Sequence, residues 1–342
     1  MKRKILQFII LLLLLFFALF ACKKEPVDGI SLDKTLMVSV GETATLTVTF
    51  IPANATNKKI SWKSSDPNVA TVENGKVIGI AVGNAKITAT SHDGGRSAQC
   101  IVYVTQPIEP ELVWVEGGTF TMGCTNEQGD DCLYDESPNH KVTVSSFYMG
   151  KYEVTQKEWV AAMGTNPSYP EAAYSGENKP VHLVSWTDVQ GYITILNAYT
   201  GKNYRLPTEA EWEFAARGGN KSEGYKYSGS NNINDITWYY PNNNNMILNN
   251  LNPVGEKAPN EIGIFDMSGS VWEYCSDWYG NYTPESQINP TGPEKGNGRV
   301  ARGGAWYNTL NFMRVSYRYS SLPDIKYTSG FRLVLPAEQK KD

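Results

Sequence analysis

The residue types that could do chemistry in this chain are its cysteines, histidines and clustered carboxylates. Cys124 and Cys132 enclose the polar loop TNEQGDD, and we expect them to form a disulfide. Disulfides persist in proteins that leave the cytoplasm, and the N-terminus of this chain indicates export. Cys100 and Cys275 stand beside apolar or aromatic residues, a setting that favours buried thiols without a partner.

Histidines and glutamates match no recognised catalytic pattern. The sequence contains no HExxH motif, and a zinc site cannot be assembled from His140 and His182. Both are expected to make local hydrogen bonds. Glu209, Glu211 and Glu213 in PTEAEWE could form an acid/base pair. They fall in the first turns of a predicted helix, where carboxylates interact favourably with the helix dipole, and we prefer this structural interpretation.

Four arginines recur beside aromatic residues in the C-terminal half of the chain. They are Arg302, Arg314, Arg318 and Arg332. One interpretation is that they line a groove for an anionic or peptide ligand. The other is that they stack on tryptophans and bind carboxylates of the scaffold. The sequence leaves both open.

The N-terminus reads MKRKILQFIILLLLLFFALFAC, a basic start followed by an apolar run. The run is short for a membrane span and has the flanks of a signal peptide. It ends in LFAC, which resembles a bacterial lipobox. We therefore expect residues 1–21 to be removed, Cys22 to carry lipid, and residues 22–26 to form a tether. This predicts a protein of the bacterial cell envelope held to the membrane by the lipid on Cys22. The absence of aspartate after Cys22 favours the outer membrane, with surface display open, in a Gram-negative host.

The charge balance argues against nucleic acid as a partner. Removing residues 1–21 leaves 321 residues with 28 basic and 35 acidic side chains, a net charge of −7. Binding to nucleic acid needs a dense basic patch. The length that remains suggests about two domains.

Residues 27–105 alternate with the period of a β-strand. Ala44, Leu46, Val48 and Phe50 alternate with threonines, and turn residues interrupt the pattern at short intervals. This spacing predicts a β-sandwich. The stretch ISWKSSDPNVATVENGKVIGIAVGNAKITAT resembles the bacterial Ig-like domain of group 2, which in its family is a spacer or adhesion module. Residues 106–111, QPIEPE, form a predicted linker stiffened by two prolines.

Beyond the linker, three short helices are predicted. Each begins with a capping box, a threonine followed three residues later by Glu or Gln. The pairs are Thr155 with Glu158, Thr187 with Gln190, and Thr208 with Glu211. Gly164, Gly201 and Gly218 mark the expected helix ends. Strands, turns and long loops fill the rest of this segment.

Seven blocks follow one another in this segment. They read LVWVEGGTFTMG, FYMGKYEVTQKEW, KPVHLVSWTDVQGY, YRLPTEAEWEFAARGG, FDMSGSVWEYCSDWY, RVARGGAW and GFRLV. In these blocks residues 112–336 resemble the sulfatase-modifying factor family, also called the formylglycine-generating-enzyme-like family. The resemblance implies an α+β fold related to the C-type lectin domain. The chain is thus predicted to be multidomain, an all-β Ig-like sandwich followed by this α+β domain, with residues 337–342 as a tail.

The resemblance also locates a copper site. Active members oxidise a cysteine of a sulfatase to formylglycine with O₂ and with copper held by two cysteines that follow a GGS element. Here Ala305 replaces the serine, Asn308 takes the place of the first cysteine, and the second falls within residues 311–313, where none is present. Cu(I) prefers thiolates. We therefore expect no copper, no catalytic residues of this kind and no formylglycine generation by this mechanism.

A structural calcium site is the second implication of the resemblance. The family's ligands map onto the side chain of Asp266, the backbone carbonyls of Gly269 and Val271, and the carboxylate of Glu273. Calcium prefers carboxylate and carbonyl oxygens. The alternative is a tight turn in which the two acids bond local amides.

The leading functional hypothesis is a lipid-anchored, non-catalytic module that binds a protein segment or a glycan, or that assists assembly. A different class, an oxidoreductase acting on a protein or a small thiol, remains open. The missing cysteine pair favours binding. A third hypothesis is an adhesin whose Ig-like domain makes the contact.

Overall fold

The computed structural model describes residues 24–239 and 250–339, and the chain divides into two units between Thr105 and Gln106. The leader and Cys22 lie outside the described residues, so the lipid anchor remains a prediction. Within the described ranges, no helix is both long enough and apolar enough to cross a membrane.

From residue 24 onward, the first unit is a stack of short strands. A four-stranded sheet has the order β2-β9-β8-β5, a three-stranded sheet has the order β3-β7-β6, and β1 pairs with β4. The strands are β1 (Gly29–Ser31), β2 (Thr35–Ser39), β3 (Thr43–Thr45), β4 (Thr49–Ile51), β5 (Ile60–Ser64), β6 (Ala70–Glu73), β7 (Lys76–Gly79), β8 (Gly83–Ser91) and β9 (Ser97–Thr105).

The alternating pattern determines which side of each strand is buried. Leu46 is buried and its threonine neighbours are exposed, because successive side chains of a strand point to opposite faces. Leu46, Val77, Ile87 and Val102 belong to one apolar core. Cys100 lies in the same core, where burial, and secondarily Asp33, raises the pKa of its thiol. The predicted Ig-like sandwich is confirmed.

The second unit contains three small sheets. Their orders are β10-β13-β19, β11-β12-β15 and β17-β16-β14-β18. The strands are β10 (Leu112–Val115), β11 (Gly118–Met122), β12 (His140–Val144), β13 (Phe147–Gly150), β14 (Trp272–Trp278), β15 (Gln287–Ile288), β16 (Arg299–Arg302), β17 (Tyr319–Ser321), β18 (Ser329–Gly330) and β19 (Val334–Pro336).

Short helices connect and cover these sheets. The α-helices are α1 (Gln156–Met163), α2 (Trp186–Thr200), α3 (Glu209–Ala216) and α4 (Ile233–Ile236). The 3-10 helices are Asn126–Asp131, Tyr134–Glu136, Gly219–Lys221, Leu310–Met313 and Ala337–Gln339. The predicted α+β class with few and short helices is confirmed.

Two of the three predicted capping boxes are confirmed. The hydroxyl of Thr155 accepts a hydrogen bond from the backbone N–H of Glu158 at 3.2 Å, and Thr208 begins α3 in the same way. Gly164 and Gly201 end α1 and α2 in the left-handed region, with φ of 74° and 68°. A side chain is strained there, which explains the glycines.

The capping box predicted at Thr187 is wrong. The hydroxyl of Ser185 accepts from the N–H of Asp188 at 3.0 Å, and the carboxylate of Asp188 accepts from the N–H of Ser185 at 2.9 Å. Helix α2 therefore begins two residues earlier than expected. Thr187 lies in its first turn, and its hydroxyl donates to Asp324 at 2.6 Å. Aspartate performs the role that the sequence motif reserves for Glu or Gln.

Two apolar clusters fix the positions of these elements. In the first, Trp159 of α1 stacks on Tyr192 of α2 with ring centroids 5.4 Å apart. In the second, Trp212 of α3 is fully buried among residues of β12, β13, β14 and β16. Strand β14 contributes to both clusters, with Trp272 in the first and Cys275 in the second. It therefore links the two halves of the unit.

Candidate functional site

The loop after β16 contains the positions that the resemblance assigns to copper ligands. Asn308 closes a tight turn in this loop. Its side-chain oxygen accepts from the N–H of Ala305 at 3.0 Å, and its own N–H donates to the carbonyl of Ala305 at 2.8 Å. The side-chain amide of Asn308 thus stabilises the backbone of the turn, so this residue has a structural role.

The second of these positions falls in the 3-10 helix Leu310–Met313. Met313 is fully buried, and it packs against the ring of Tyr227 and the side chains of α4. The backbone carbonyl of Asn311 accepts from Nε of Arg314 at 3.2 Å. The thioether of Met313 is the soft atom in this segment, and it is buried in a separate apolar cluster.

Cysteines elsewhere in the described chain supply no substitute pair. Cys124 and Cys132 are joined by a disulfide with a Cα–Cα distance of 6.0 Å. Cys275 is a buried free thiol, and Cys100 belongs to the first unit. Burial, and secondarily Asp277, raises the pKa of the Cys275 thiol well above its ordinary value. A thiol held neutral is a poor nucleophile and a poor metal ligand.

Aromatic side chains lie near Tyr307, the residue that precedes Asn308 in this turn. We define the aromatic surface as Tyr169, Trp272, Tyr307, Tyr319 and Tyr327. Its four tyrosines are each between 36% and 39% exposed, whereas Trp272 is buried beneath them. The ring centroids of Trp272 and Tyr319 are 5.1 Å apart. The hydroxyl of Thr328, which follows Tyr327, donates to the Tyr307 hydroxyl at 2.6 Å.

A buried histidine positions one edge of this surface. Nε2 of His182 accepts from the N–H of Tyr169 at 3.3 Å, and Nδ1 lies 3.4 Å from the carbonyl of Pro180. The ring also contacts Trp306, whose neighbour is Tyr307. Burial lowers the pKa of His182 to about 4. The imidazole is therefore neutral near pH 7, as its acceptor role requires. The expected local hydrogen bonding of His182 is confirmed.

The four arginines bind carboxylates of the scaffold, which decides between the two interpretations of them. Each is fully or almost fully buried. Their partners are Glu209 and Glu213 for Arg302, Glu136 for Arg314, Glu209 for Arg318 and Glu273 for Arg332. Bidentate pairs of this kind fix geometry as well as charge. These arginines are therefore part of the scaffold, and of the four Arg318 also lines a cavity, together with Glu209 and Tyr282.

The glutamates of PTEAEWE are likewise structural. Burial raises the pKa of Glu209, but Arg318 and Arg302 outweigh it and the net shift is downward. Glu211 accepts two hydrogen bonds from Arg205, at 2.6 and 2.7 Å. All three glutamates are ion-paired. Glu209 therefore lacks the raised pKa of a general acid.

The segment predicted to bind calcium forms a strained turn. Asp266, Gly269 and Ser270 have φ of 60°, 95° and 63°, and non-glycine residues rarely adopt such values. Asp266 is buried, and its Oδ2 accepts from the N–H of Gly255 at 2.7 Å. Burial raises the pKa of Asp266 to about 6, and the negative charge of Glu273 adds to the shift. A nearby cation would stabilise the ionised form of a carboxylate that is buried and close to a second negative charge.

Glu273, the other carboxylate of that set, already has strong partners. Its two oxygens accept from Nε and Nη2 of Arg332, both at 2.6 Å, and Nε1 of Trp212 donates to it at 2.8 Å. A cation at Glu273 would lie beside a guanidinium. Across the described ranges, no three His, Cys, Asp or Glu side chains form a metal-binding group. Asp266 thus fits calcium, together with backbone carbonyls, and Glu273 does not.

Among the buried carboxylates of the described chain that sequence reasoning missed, Glu153 is the one without a partner for either oxygen. It lies between β13 and α1 and is 1% exposed, and neither of its oxygens accepts a hydrogen bond of normal geometry. Burial raises its pKa well above the ordinary value, and the charges of Asp266 and Glu273 raise it further. In the sequence Glu153 is one residue of KYEVT, about a hundred positions before Asp266. No local motif points to it.

Comparison with known families and proteins bears on the whole of this unit. A family model for the sulfatase-modifying factor enzyme 1-like domain matches residues 101–337. A model for the bacterial Ig-like domain (group 2) matches residues 26–102. The two matches agree with the resemblances read from the sequence.

Individual proteins give the same picture. The chain is 37% identical over 256 residues to the chaperone protein LppX of Paenibacillus barcinonensis, covering 61% of this chain and 83% of LppX. It is 30% identical over 292 residues to the formylglycine-generating enzyme of Thermomonospora curvata, covering 66% of this chain and 94% of the enzyme. The solved structure of Treponema denticola variable protein 1 aligns with a TM-score of 0.58 and 25% identity, covering 73% of this chain and 99% of that one. Because the family model spans more than half of its length, the chain belongs to the family of the sulfatase-modifying factor enzyme 1-like domain.

Proposed function

We propose that this protein is a non-catalytic binding module, and that the aromatic surface accepts a segment of another protein or a glycan. The observation that carries the proposal is the pairing of two features at one place. The Asn308 turn contains no cysteine, and Tyr307 in the same turn is one of the four partly exposed tyrosines of the aromatic surface. Tyrosines supply large contact area and a hydroxyl at little cost in side-chain entropy.

Between the two ligand classes, we favour a protein segment. The relative LppX carries the name of a chaperone protein, and chaperones bind polypeptide. The leucine and isoleucine side chains of Leu310, Leu322 and Ile325 are also exposed in the segments that flank the tyrosines. Apolar side chains next to aromatic ones are typical of the central part of a protein–protein interface.

The rest of the chain fits a module held at a cell envelope. We propose that residues 1–21 are a signal peptide, that Cys22 carries lipid, and that the Ig-like domain is a spacer between the anchor and the binding unit. Two or more acyl chains give stable anchoring. We place the anchor in the outer membrane, on the basis of the residues after Cys22, if the host is Gram-negative.

We further propose that calcium bound near Asp266, with the carbonyls of Gly269 and Val271, stabilises the strained turn, and that copper is not a cofactor. When bound, calcium would supply positive charge and fixed ligand directions to a turn that ends at β14. Trp272 of the aromatic surface is the first residue of that strand. The metal would thus act on structure and not on a reaction.

The test of binding is a paired screen of the soluble mature protein, residues 23–342, on an array of short peptides and an array of glycans. We expect binding on the peptide array, and loss of that binding in Tyr307→Ala and Tyr319→Ala. Tyr199→Ala is the matched control, because Tyr199 is equally exposed but lies on α2. Binding that survives both tyrosine substitutions would refute the aromatic surface as the site.

The alternative is an oxidoreductase of the same family, and the similarity to the formylglycine-generating enzyme is the observation that favours it. Exposure of the same protein to Cu(I), followed by dialysis and metal analysis, separates the two hypotheses. We expect no retained copper and no conversion of a cysteine peptide to an aldehyde. Stoichiometric copper would return the enzyme hypothesis to first place.

A further inference from the structure

The interior around the 266–271 turn contains more negative than positive charge. Three carboxylates, Glu153, Asp266 and Glu273, lie in it, and Arg332 is the cation that lowers the pKa of both Glu153 and Asp266. All four side chains are at least 95% buried. Arg332 forms its bidentate ion pair with Glu273. Two carboxylates are thus left without an ion pair in the described structure.

Glu153 is the most unusual of these groups. A buried carboxylate normally accepts several hydrogen bonds or pairs with a cation, because burial of an unpaired charge costs several kcal/mol. Neither oxygen of Glu153 has a hydrogen-bond partner, although the Ser270 hydroxyl is near enough to favour the ionised form slightly. Asp266, in contrast, has a bond from Gly255. Glu153 therefore presents two buried carboxylate oxygens to which nothing in the described structure is bound.

We infer that Glu153 is the second carboxylate ligand of a calcium ion shared with Asp266, in the role that the family resemblance assigns to Glu273. This inference refines the calcium proposal and depends on it for the identity of the metal. It does not depend on the proposed binding at the aromatic surface. Calcium takes six to eight oxygens, of which backbone carbonyls and water commonly supply several. Two carboxylates and the carbonyls of the strained turn are a set of that kind.

A cavity borders this site in the second unit. A cavity of about 530 Å³ has Glu153 in its wall, next to Tyr152 and Val254. Other acidic residues also line it, namely Glu109, Glu111 and Glu158. Val254 precedes Gly255, whose N–H bonds Asp266. The oxygens of Glu153 are themselves closed to solvent, so a cation that enters from this cavity would have to displace part of the wall to reach them.

Calorimetric titration of Ca²⁺ into the metal-stripped mature protein, residues 23–342, tests the inference. We expect one Ca²⁺ bound per chain and a rise in Tm on binding. Glu153→Gln should abolish both the heat of binding and the Tm shift. The matched control is Glu158→Gln, because Glu158 lines the same cavity and a glutamine preserves its capping box.

The outcomes separate the possibilities. Binding of Ca²⁺ by Glu153→Gln with wild-type affinity would return the role to Glu273 and overturn the inference. Absence of Ca²⁺ binding by the wild-type protein would overturn the inference and the calcium proposal together. Glu153 would then be a buried, protonated carboxylic acid. Asp266→Asn serves as a second variant and should weaken binding. Peptide-array binding, measured on the same samples, reports the aromatic surface separately.

Discussion

Two buried clusters of carboxylates in the second unit differ in how their charge is balanced. In the cluster at the start of α3, Glu209 and Glu213 each pair with arginine, whereas Asp277 beside them forms no ion pair in the described structure and burial raises its pKa to about 7. Glu209 bonds Arg302 at 2.9 Å and Arg318 at 2.6 Å, and Glu213 bonds Arg302 at 2.5 Å. Burial raises the pKa of Glu209, but these arginines outweigh it. The ion pairs hold α3 to Arg302 of β16 and to Arg318, the residue before β17, and Asp277 accepts a hydrogen bond from the backbone N–H of Glu209 at 3.1 Å.

The cluster around the 266–271 turn lacks such a match. Arg332 is taken by Glu273, and Glu153 and Asp266 both have raised pKa values. The two clusters lie in one unit and are equally buried, so burial alone does not distinguish scaffold from site. The number of arginines available to pair with the buried carboxylates does distinguish them. Buried carboxylates that pair with arginines of the protein are scaffold, and buried carboxylates without such a pair hold a proton or a cation.

The largest expected effect is the loss of a matched pair. The guanidinium of Arg314 bonds both oxygens of Glu136 at 2.6 Å, and both side chains are fully buried. Arg314→Met leaves a buried carboxylate without a counter-ion, which should cost about 3–5 kcal/mol of unfolding free energy in urea denaturation. The control is Lys157→Met, which removes an exposed pair and should cost no more than about 0.5 kcal/mol. Equal costs would show that the matched pairs do not stabilise the fold.

His182 provides a second test, because it is a buried ionisable group kept neutral. Its pKa is about 4 in the folded protein, with burial as the main cause, against an ordinary value of 6.5. Between these values the unfolded chain binds the proton and the folded one does not. The contribution of His182 is therefore fully present above pH 6.5 and is lost as the pH falls toward 4. At pH 5 the loss is about 2 kcal/mol.

Urea denaturation at pH 7 and pH 5 measures this loss, provided that wild type is compared with His182→Gln. The comparison is necessary because Asp266 and Asp277, with pKa values of about 6 and 7, change stability in the opposite direction over this range. Their raised values remove stability as the pH increases. The glutamine variant should lose about 2 kcal/mol less than wild type between the two pH values. Parallel losses in the two proteins would mean that His182 titrates normally.

Local patterns predicted much of the fold, and long-range contacts account for what they missed. The capping boxes at Thr155 and Thr208 were readable because both partners lie within one turn. At α2, either Ser185 or Thr187 was able to cap the start of the helix. In the structure the hydroxyl of Thr187 is bonded to Asp324, and Ser185 is the residue that caps the helix. That contact joins residues far apart in the sequence. The sequence therefore could not decide it.

The candidate site shows the same division. The absence of cysteine at Asn308 is visible in the sequence. The aromatic surface is not, because Tyr169, Trp272 and Tyr319 come together only when three distant loops and strands pack. The role of Glu153 was hidden for the same reason, since its neighbours come from the segment around residue 266. Family resemblance gave the region of the proposed calcium site, and the structure changes the ligand that we propose for it.

The smallest effect concerns a pair intermediate between buried and exposed. Arg205 bonds Glu211 in a bidentate manner, but the arginine side chain is 39% exposed. Solvent screens such a pair, so Arg205→Gln should cost only about 1 kcal/mol in urea denaturation. The cost should fall as salt is raised, because salt screens partly exposed charges much more than buried ones. The loss in Arg314→Met should hardly depend on salt. A large and salt-independent cost at Arg205 would mean that the presence of an oppositely charged partner matters more for stability than the burial of the pair. The difference between the two clusters would then depend only on whether each carboxylate has a partner of opposite charge.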